Sequence, residues 1–287
     1  MYEDLRRPPL RTAALTVALT GAGSLWREVR VLADAPSTNA VAVAAAAAGA
    51  AEGLVVVAES QSAGRGRLDR SWVSPPRAGL TFSVLLRPGP AVPMARWGWL
   101  PLLAGTALAR AVGAHAEVPA RLKWPNDLLL GSGERKAAGI LAESVEGSVV
   151  VGVGLNVTTT VAELPADRPA TSLAIEGSPA LDREPLLRAV LRTLAADYTA
   201  WRAGGGDPAA LLAAYRPLCA TLGRRVRVEQ SGGRATEGVA VDLDDEGRLV
   251  VEQPDGVRRS WAFGDVVHVQ ASSPVSWPPS GSTTLHC

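Results

Sequence analysis

The chain has 287 residues, 47% hydrophobic and 20% charged, with a formal net charge of +1. That length gives room for one large domain or two unequal ones with a substantial core, and the composition is that of an ordinary soluble globular protein. Near-neutrality excludes a surface built throughout for nucleic acid, so any anion site has to be local.

Residues 1–9 are charged and carry prolines, as a loose arm would. Residues 13–23 are small and apolar after Arg6, Arg7 and Arg11, a faint echo of a signal peptide. Thr16 and Thr20 interrupt that run, however, and Arg11, Leu15 and Leu19 fall on one helix stripe. A helix over 11–21 therefore ends at Gly21 or Gly23. No room remains before residue 30 for the three packed helices of a helix-turn-helix domain.

Residues 26–33 alternate as a half-buried strand, and Pro36-Ser37-Thr38-Asn39 turns the chain into an alanine-rich helix over 38–49. This apolar stretch is far shorter than the ~20 residues of a membrane span. Ser37 or Thr38 caps it, and the same helix start offers hydroxyls and N–H groups to a polar ligand. Leu54-Val55-Val56-Val57-Ala58 is a β-branched buried strand with Gln61 just past its end.

The loop Gly64-Arg65-Gly66-Arg67-Leu68-Asp69-Arg70-Ser71-Trp72 follows at once. Its glycines let the backbone approach a ligand closely, and each arginine brings a planar fork of donors for carboxylate or phosphate. Trp72 can cover a heteroaromatic group and still donate one hydrogen bond. Alone, such a stretch reads as a solvated basic turn; at the end of a buried strand it reads as a clamp for a small anion. Residues 80–86 return as a strand, and the apolar spacing of 97–112 predicts a buried helix.

Lys123-Trp124-Pro125-Asn126-Asp127 is a rigid turn between two apolar runs. Its lysine suits a phosphate and its Asn/Asp pair a hydrated Mg²⁺, although a hairpin turn with an Asx hydrogen bond explains the same residues. Residues 131–135 are a polar turn, 136–143 resume an extended pattern, and 149–153 are another β-branched strand running into Gly152-Val153-Gly154-Leu155-Asn156-Val157. Helices are expected over 183–203 and 208–216, broken by Gly204-Gly205-Gly206. After Leu222-Gly223 the pattern becomes short alternating strands with regular turns, the mark of a small barrel, and 272–287 is Ser- and Pro-rich as disordered tails are. Cys219 and Cys287 are too distant for a disulfide framework, and His115, His268 and His286 form no metal pattern, so the default setting is reducing and cytoplasmic.

Four blocks thus stand in order: Ser37-Thr38-Asn39; Gln61 with the loop 64–72; Lys123 to Asp127 leading to Lys136-Ala137-Ala138-Gly139-Ile140-Leu141; and Gly152 to Val157. Thr171-Ser172-Leu173 is a fifth, weaker one. In this order and spacing, over about residues 30–175, the sequence resembles the biotin protein ligases. The resemblance implies an α+β fold, a mixed sheet flanked by helices like that of class II aminoacyl-tRNA synthetases, with a small C-terminal SH3-like β-barrel. Residues 1–221 would be catalytic, 222–271 the barrel and 272–287 the tail.

By the same resemblance, biotin and ATP form biotinoyl-adenylate, from which a lysine of a biotin carboxyl carrier domain of acyl-CoA carboxylases takes the biotin. Ser37, Thr38, Asn39, Gln61, Gly64, Arg65, Gly66, Arg67, Lys136 and Gly139 are implied at biotin. Arg67, Arg70, Trp72, Lys123, Asn126 and Asn156 are implied at ATP or the adenylate, and Asp127 at Mg²⁺. Lys136 and Arg67 carry the implied catalysis. ATP and Mg²⁺ are the implied cofactors; no DNA and no membrane are expected as partners, and a homodimer stands open beside a monomer.

Three rivals compete: a lipoate or octanoate ligase of the same fold, a biotin-responsive DNA-binding repressor, and a pure binding module. The loop 64–72 together with Lys123–Asp127 favours biotin over the first, the short N-terminus and neutral charge disfavour the second, and the intact lysine set disfavours the third. One position departs from the family: Asp69 stands where a glycine is frequent.

Overall fold

The structure, a computed structural model, describes residues 7–67, 70–229, 235–262 and 265–269; Asp69 and the tail 272–287 lie outside the described residues. In chain order the elements are α1 (Thr12–Leu19), β1 (Glu28–Leu32), α2 (Thr38–Ala47), β2 (Leu54–Ala58), β3 (Gly79–Leu86), α3 (Trp99–Ala116), β4 (Ala120–Lys123), β5 (Asp127–Leu130), β6 (Arg135–Val145), β7 (Ser148–Asn156), α4 (Arg183–Ala203) and α5 (Ala209–Tyr215). Five further strands follow: β8 (Arg225–Glu229), β9 (Ala235–Leu243), β10 (Leu249–Glu252), β11 (Arg258–Trp261) and β12 (Asp265–His268).

The first seven strands form one sheet in the order β1-β2-β3-β7-β6-β5-β4. Only β1 and β2 run parallel; every other neighbouring pair is antiparallel. The sheet is therefore mixed, and the two-residue period of its strands assigns side chains to faces. Val55, Val57, Phe82, Val84, Val151 and Val153 join the main core with residues of α1, α3 and α4. Their alternates Leu54, Val56, Leu85 and Val150 pack with Ala42 and Ala46 of α2 on the opposite face. Strands buried on both faces read as unbroken apolar runs, which is why β2 shows no alternation in sequence.

A buried ion pair ties the N-terminal residues to this frame. Arg183 lies 2.5 Å from Glu59, with the two side chains 4% and 8% exposed. Arg183 also donates to the carbonyls of Gly79 and Pro8, at 3.2 and 2.6 Å, and Glu59 accepts the Leu10 N–H at 2.5 Å. Arg7 donates to Glu163 and to the Thr158 carbonyl. Residues 7–10 are thus held in place, contrary to the loose arm expected over 1–9, because a long-range acidic partner outweighs local composition; residues 1–6 lie outside the described residues.

The last five strands make an antiparallel sheet in the order β11-β10-β9-β8-β12, the small β-domain that the alternation after residue 222 predicts. Its turn at 244–247 is where the two parts meet: Trp99 Nε1 donates to the Asp245 carbonyl at 2.8 Å and Trp124 Nε1 to that of Gly247 at 3.1 Å. Its apolar residues Val226, Leu243, Leu249 and Val251 belong to the same continuous core as the larger sheet. At this junction Thr221 Oγ1 accepts the Trp124 N–H and lies 3.1 Å from His268 Nε2, while Arg224 Nη1 lies 3.4 Å from His268 Nδ1. A guanidinium can only donate, so His268 accepts at Nδ1 and carries its proton on Nε2.

Arg183→Met leaves the Glu59 carboxylate buried without its cation and should cost about 3–5 kcal/mol in denaturant unfolding, whereas an exposed pair of the same type would cost under about 1 kcal/mol. Burial, reinforced by Lys123 and Arg224, depresses His268 to about 4 from its ordinary 6.5. Between those values the unfolded chain holds the extra proton, so stability falls as pH drops from 6.5 towards 4. His268→Gln should flatten that part of the stability-against-pH curve, measured by urea unfolding.

Candidate functional site

Beside α2, the same face of the sheet is left without a helix, and its side chains are small. Thr81 of β3, Gly139 of β6 and Gly152 and Gly154 of β7 line a cavity of about 400 Å³ there. The glycines are needed for what lies over them. A Cβ on Gly152 would collide with Asn39 Oδ1, and one on Gly154 with Trp72 Nε1. Gly139 would bring its Cβ to 3.4 Å from the Trp72 ring.

The described ends of the loop, residues 64–67 and 70–72, pair with each other antiparallel, with a bridge between Arg65 and Ser71. Trp72 N donates to the Gly64 carbonyl at 2.9 Å and Gly66 N to that of Arg70 at 2.6 Å. This fold-back sends the Trp72 indole down onto the glycine floor. Its Nε1 is buried with no acceptor among the described residues, and an unsatisfied buried donor of this kind costs ~1–3 kcal/mol. Lys136 Nζ sits 5.9 Å from the indole centroid.

Every cation at the cavity is held by a polar partner. Lys136 Nζ lies 2.6 Å from Asp127 Oδ1, across the pairing of β5 with β6. Arg65 Nη2 lies 3.2 Å from Glu143 Oε1, and Arg67 Nη1 donates to Asn126 Oδ1 at 3.3 Å. Arg70 lines the cavity as well. The α2 N-terminus supplies a second polar end: Ser37 is the N-cap, its Oγ accepting from Ala40 N, and Gln61 Oε1 accepts the Thr38 N–H at 2.8 Å. Asn39 points inward, donating to the Leu141 carbonyl and to Glu143 and accepting from Ser83. Asn156 likewise commits its Nδ2 to the Thr171 carbonyl at 3.0 Å while lining the cavity.

Ser37, Thr38, Asn39, Gln61, Arg65, Gly66, Arg67, Arg70, Trp72, Asn126, Asp127, Lys136, Gly139 and Asn156 all line this one cavity. Two expected residues stand apart. Gly64 is not on the lining; its place is under the Trp72 carbonyl, which its missing Cβ makes room for. Lys123 ends β4 beside a shallow recess with Pro125 and Asn126, close enough to His268 to lower its basicity.

Sequence reasoning missed Ser83 and Glu143, which brace Asn39, although a serine inside the apolar run 80–86 was a usable signal. It also missed the rim at Glu163, Leu164, Pro165, Arg168 and Ala170, a loop with no periodicity to mark it. There the Arg7 guanidinium, with help from the Thr160 N–H, holds Glu163 down to about 2.

Among the described residues no group of three or more His, Cys, Asp or Glu comes together to hold a metal. The lining holds two carboxylates, Asp127 and Glu163; Glu163 is taken up by Arg7, which leaves Asp127, paired with Lys136, as the single one at the Asn126 turn. A single carboxylate fits an Mg²⁺ ion carried in on substrate phosphates better than a resident metal. No helix among the described residues is long and apolar enough to cross a membrane.

Residues 35–159 match the Biotin/lipoate A/B protein ligase family, and residues 221–269 match the Biotin protein ligase C terminal domain. The chain is 45% identical over 271 residues to the biotin--[acetyl-CoA-carboxylase] ligase of Mycobacterium tuberculosis, covering 93% of this chain and 98% of that protein. The chain belongs to the biotin protein ligase family. The bifunctional ligase/repressor BirA of Bacillus subtilis is 31% identical over 233 residues, 79% of this chain and 70% of that protein. Among solved structures, the biotin protein ligase of Aquifex aeolicus in complex with biotin and ATP superposes with a TM-score of 0.71 at 27% identity, covering 86% of this chain and all of that one. The fold and the order of the biotin ligase elements are thus those that the sequence implies.

Gly154→Ala should push the Trp72 indole off its floor, since the new methyl and the ring cannot share the space. The expected readout is a red shift in tryptophan emission that disappears in a Trp72→Phe background; an unshifted spectrum would place the indole elsewhere.

Proposed function

We propose that the protein attaches biotin to a specific lysine of biotin carboxyl carrier domains, using ATP. In the first step a biotin carboxylate oxygen attacks the α-phosphorus of ATP, the bond to the β-phosphate breaks, and pyrophosphate leaves. In the second the neutral carrier lysine attacks the acyl carbon of the adenylate, a C–N bond forms, AMP departs and the amine loses a proton. Both steps concentrate negative charge between a carboxyl group and a phosphate, so fixed cations are the main demand on the protein.

The observation that carries this reading is the meeting, in one cavity, of the polar α2 terminus with Lys136, Arg65, Arg67 and Arg70. Ser37, Thr38 and Gln61 take the biotin head, and Lys136 and Arg67 stabilise the carboxylate–phosphate junction. Arg70, Trp72 and Asn156 face the nucleotide, and Asp127, next to Asn126, meets an Mg²⁺ ion brought by the phosphates. Lys123 reaches phosphate only once a polyphosphate extends past Asn126. Residues 1–221 perform the chemistry in this reading, and 222–271 brace the turn at 124–127 through Trp124 and meet the carrier. Distant cysteines suit work in a reducing cytoplasm.

Incubation with biotin, ATP and Mg²⁺ followed by mass spectrometry should reveal bound biotinoyl-adenylate; its absence, or the same yield with lipoate, would overturn the assignment. Lys136→Ala should keep the fold and lose ~10²–10³ in pyrophosphate release, the usual cost of one charge-stabilising group. Turnover near that of the wild type would remove Lys136 from the reacting centre.

A further inference from the structure

A chain of hydrogen bonds beneath the cavity dictates which way the Thr38 hydroxyl points. Asn39 Nδ2 faces two acceptors, the Leu141 carbonyl at 3.2 Å and Glu143 Oε2 at 2.7 Å. A backbone carbonyl and a carboxylate can only accept, so the amide nitrogen must be on that side and Oδ1 on the other. Oδ1 lies 2.6 Å from Ser83 Oγ, and Ser83 must donate to it. Ser83 Oγ also lies 2.8 Å from Thr38 Oγ1. A hydroxyl has one proton. With that proton given to Asn39, Ser83 accepts, and Thr38 has to donate.

We propose that this relay, from Leu141 and Glu143 through Asn39 and Ser83, makes the Thr38 hydroxyl an acceptor only towards the cavity, so that the site selects an N–H donor of a cyclic urea. The inference rests on the proposed biotin reading and deepens it by adding Asn39 and Ser83, the latter off the cavity lining, as residues that set specificity through the Thr38 hydroxyl. Thr38, Asn39 and Ser83 are 3%, 4% and 0% exposed, so water does not supply alternative partners that would blur the direction. Gln61 commits its oxygen to the Thr38 N–H and therefore turns its NH₂ end away as a donor. An N–H acceptor at Thr38 beside an amide donor at Gln61 matches a urea, which offers N–H donors beside a carbonyl oxygen. A dithiolane ring offers no N–H at all. Glu143 also pairs with Arg65, so the relay that orients the head-group end is continuous with the loop above the cavity.

The test compares biotin with its two cyclic carbamate analogues, in which one ureido N–H is replaced by a ring oxygen, by calorimetry on the full chain. In the wild type, one carbamate should bind ~10²–10⁴-fold more weakly than biotin, because two sets of lone pairs then face each other in a buried site. Ser83→Ala frees the Thr38 proton to turn towards the ligand. Asn39→Ala frees the Ser83 proton to turn to Thr38, with the same consequence. Either variant should narrow the biotin-to-carbamate ratio by ~10-fold or more, about the worth of one hydrogen bond to a buried group. A ratio unchanged in both folded variants, with affinity for all three ligands falling together, would reduce the network to scaffolding and overturn the relay. Equal wild-type affinity for biotin and both carbamates would overturn it without any variant. Failure of the wild type to bind biotin would instead overturn the ligase reading itself.

Discussion

The missing side chains of Gly139, Gly152 and Gly154 are the constraint on which the rest of the site depends. A sheet in a protein interior is normally covered on both faces by helices or loops. Here α2 covers only the part of its face formed by Leu54, Val56, Leu85 and Val150. Next to it the floor is stripped to backbone, so a ligand-sized volume opens without any break in the hydrogen-bonded ladder. The antiparallel registers of β3 with β7 and of β7 with β6 continue beneath it. The floor of the site is consequently built on rigid elements, and loops supply only its roof and one rim.

Electrostatics then complete what the glycines begin. Lys136, Arg65 and Arg67 are each poised against Asp127, Glu143 and Asn126, in positions set by neighbouring strands. Such pairs in partly exposed positions add little to stability. Their effect is to keep the cations oriented, so that little reorganisation remains when negative charge arrives. The buried Glu59–Arg183 pair is different in kind: it is enclosed, satisfied on several sides, and fastens the segment before α1 to β3 and α4.

The second sheet contributes from a distance. Trp124 precedes the turn that carries Asn126 and Asp127, and its indole is anchored to the Gly247 carbonyl. The C-terminal strands therefore hold one wall of the site without lining it. His268 reports on this junction, since its low basicity arises from burial there beside Lys123 and Arg224.

Local pattern alone determined much of this. The β2 run, the α4 helix with its amphipathic stripe, the Ser37 cap and the alternating strands after residue 222 all depend on neighbours within a few residues, and each stands where the sequence puts it. The ordered blocks also named most of the cavity lining, because strand-end loops and helix starts are where ligand groups collect. Tertiary structure alone decided the remainder. Residues 7–10 are held rather than loose because Glu59, Glu163 and Arg183 reach them from far along the chain. Lys123 lies by His268, not on the cavity lining, since β4 directs it towards the C-terminal sheet. Ser83 and Glu143 matter only because β3, β6 and α2 bring them to Asn39, and the direction of a hydroxyl proton is a property of that meeting, which no single stretch of sequence contains.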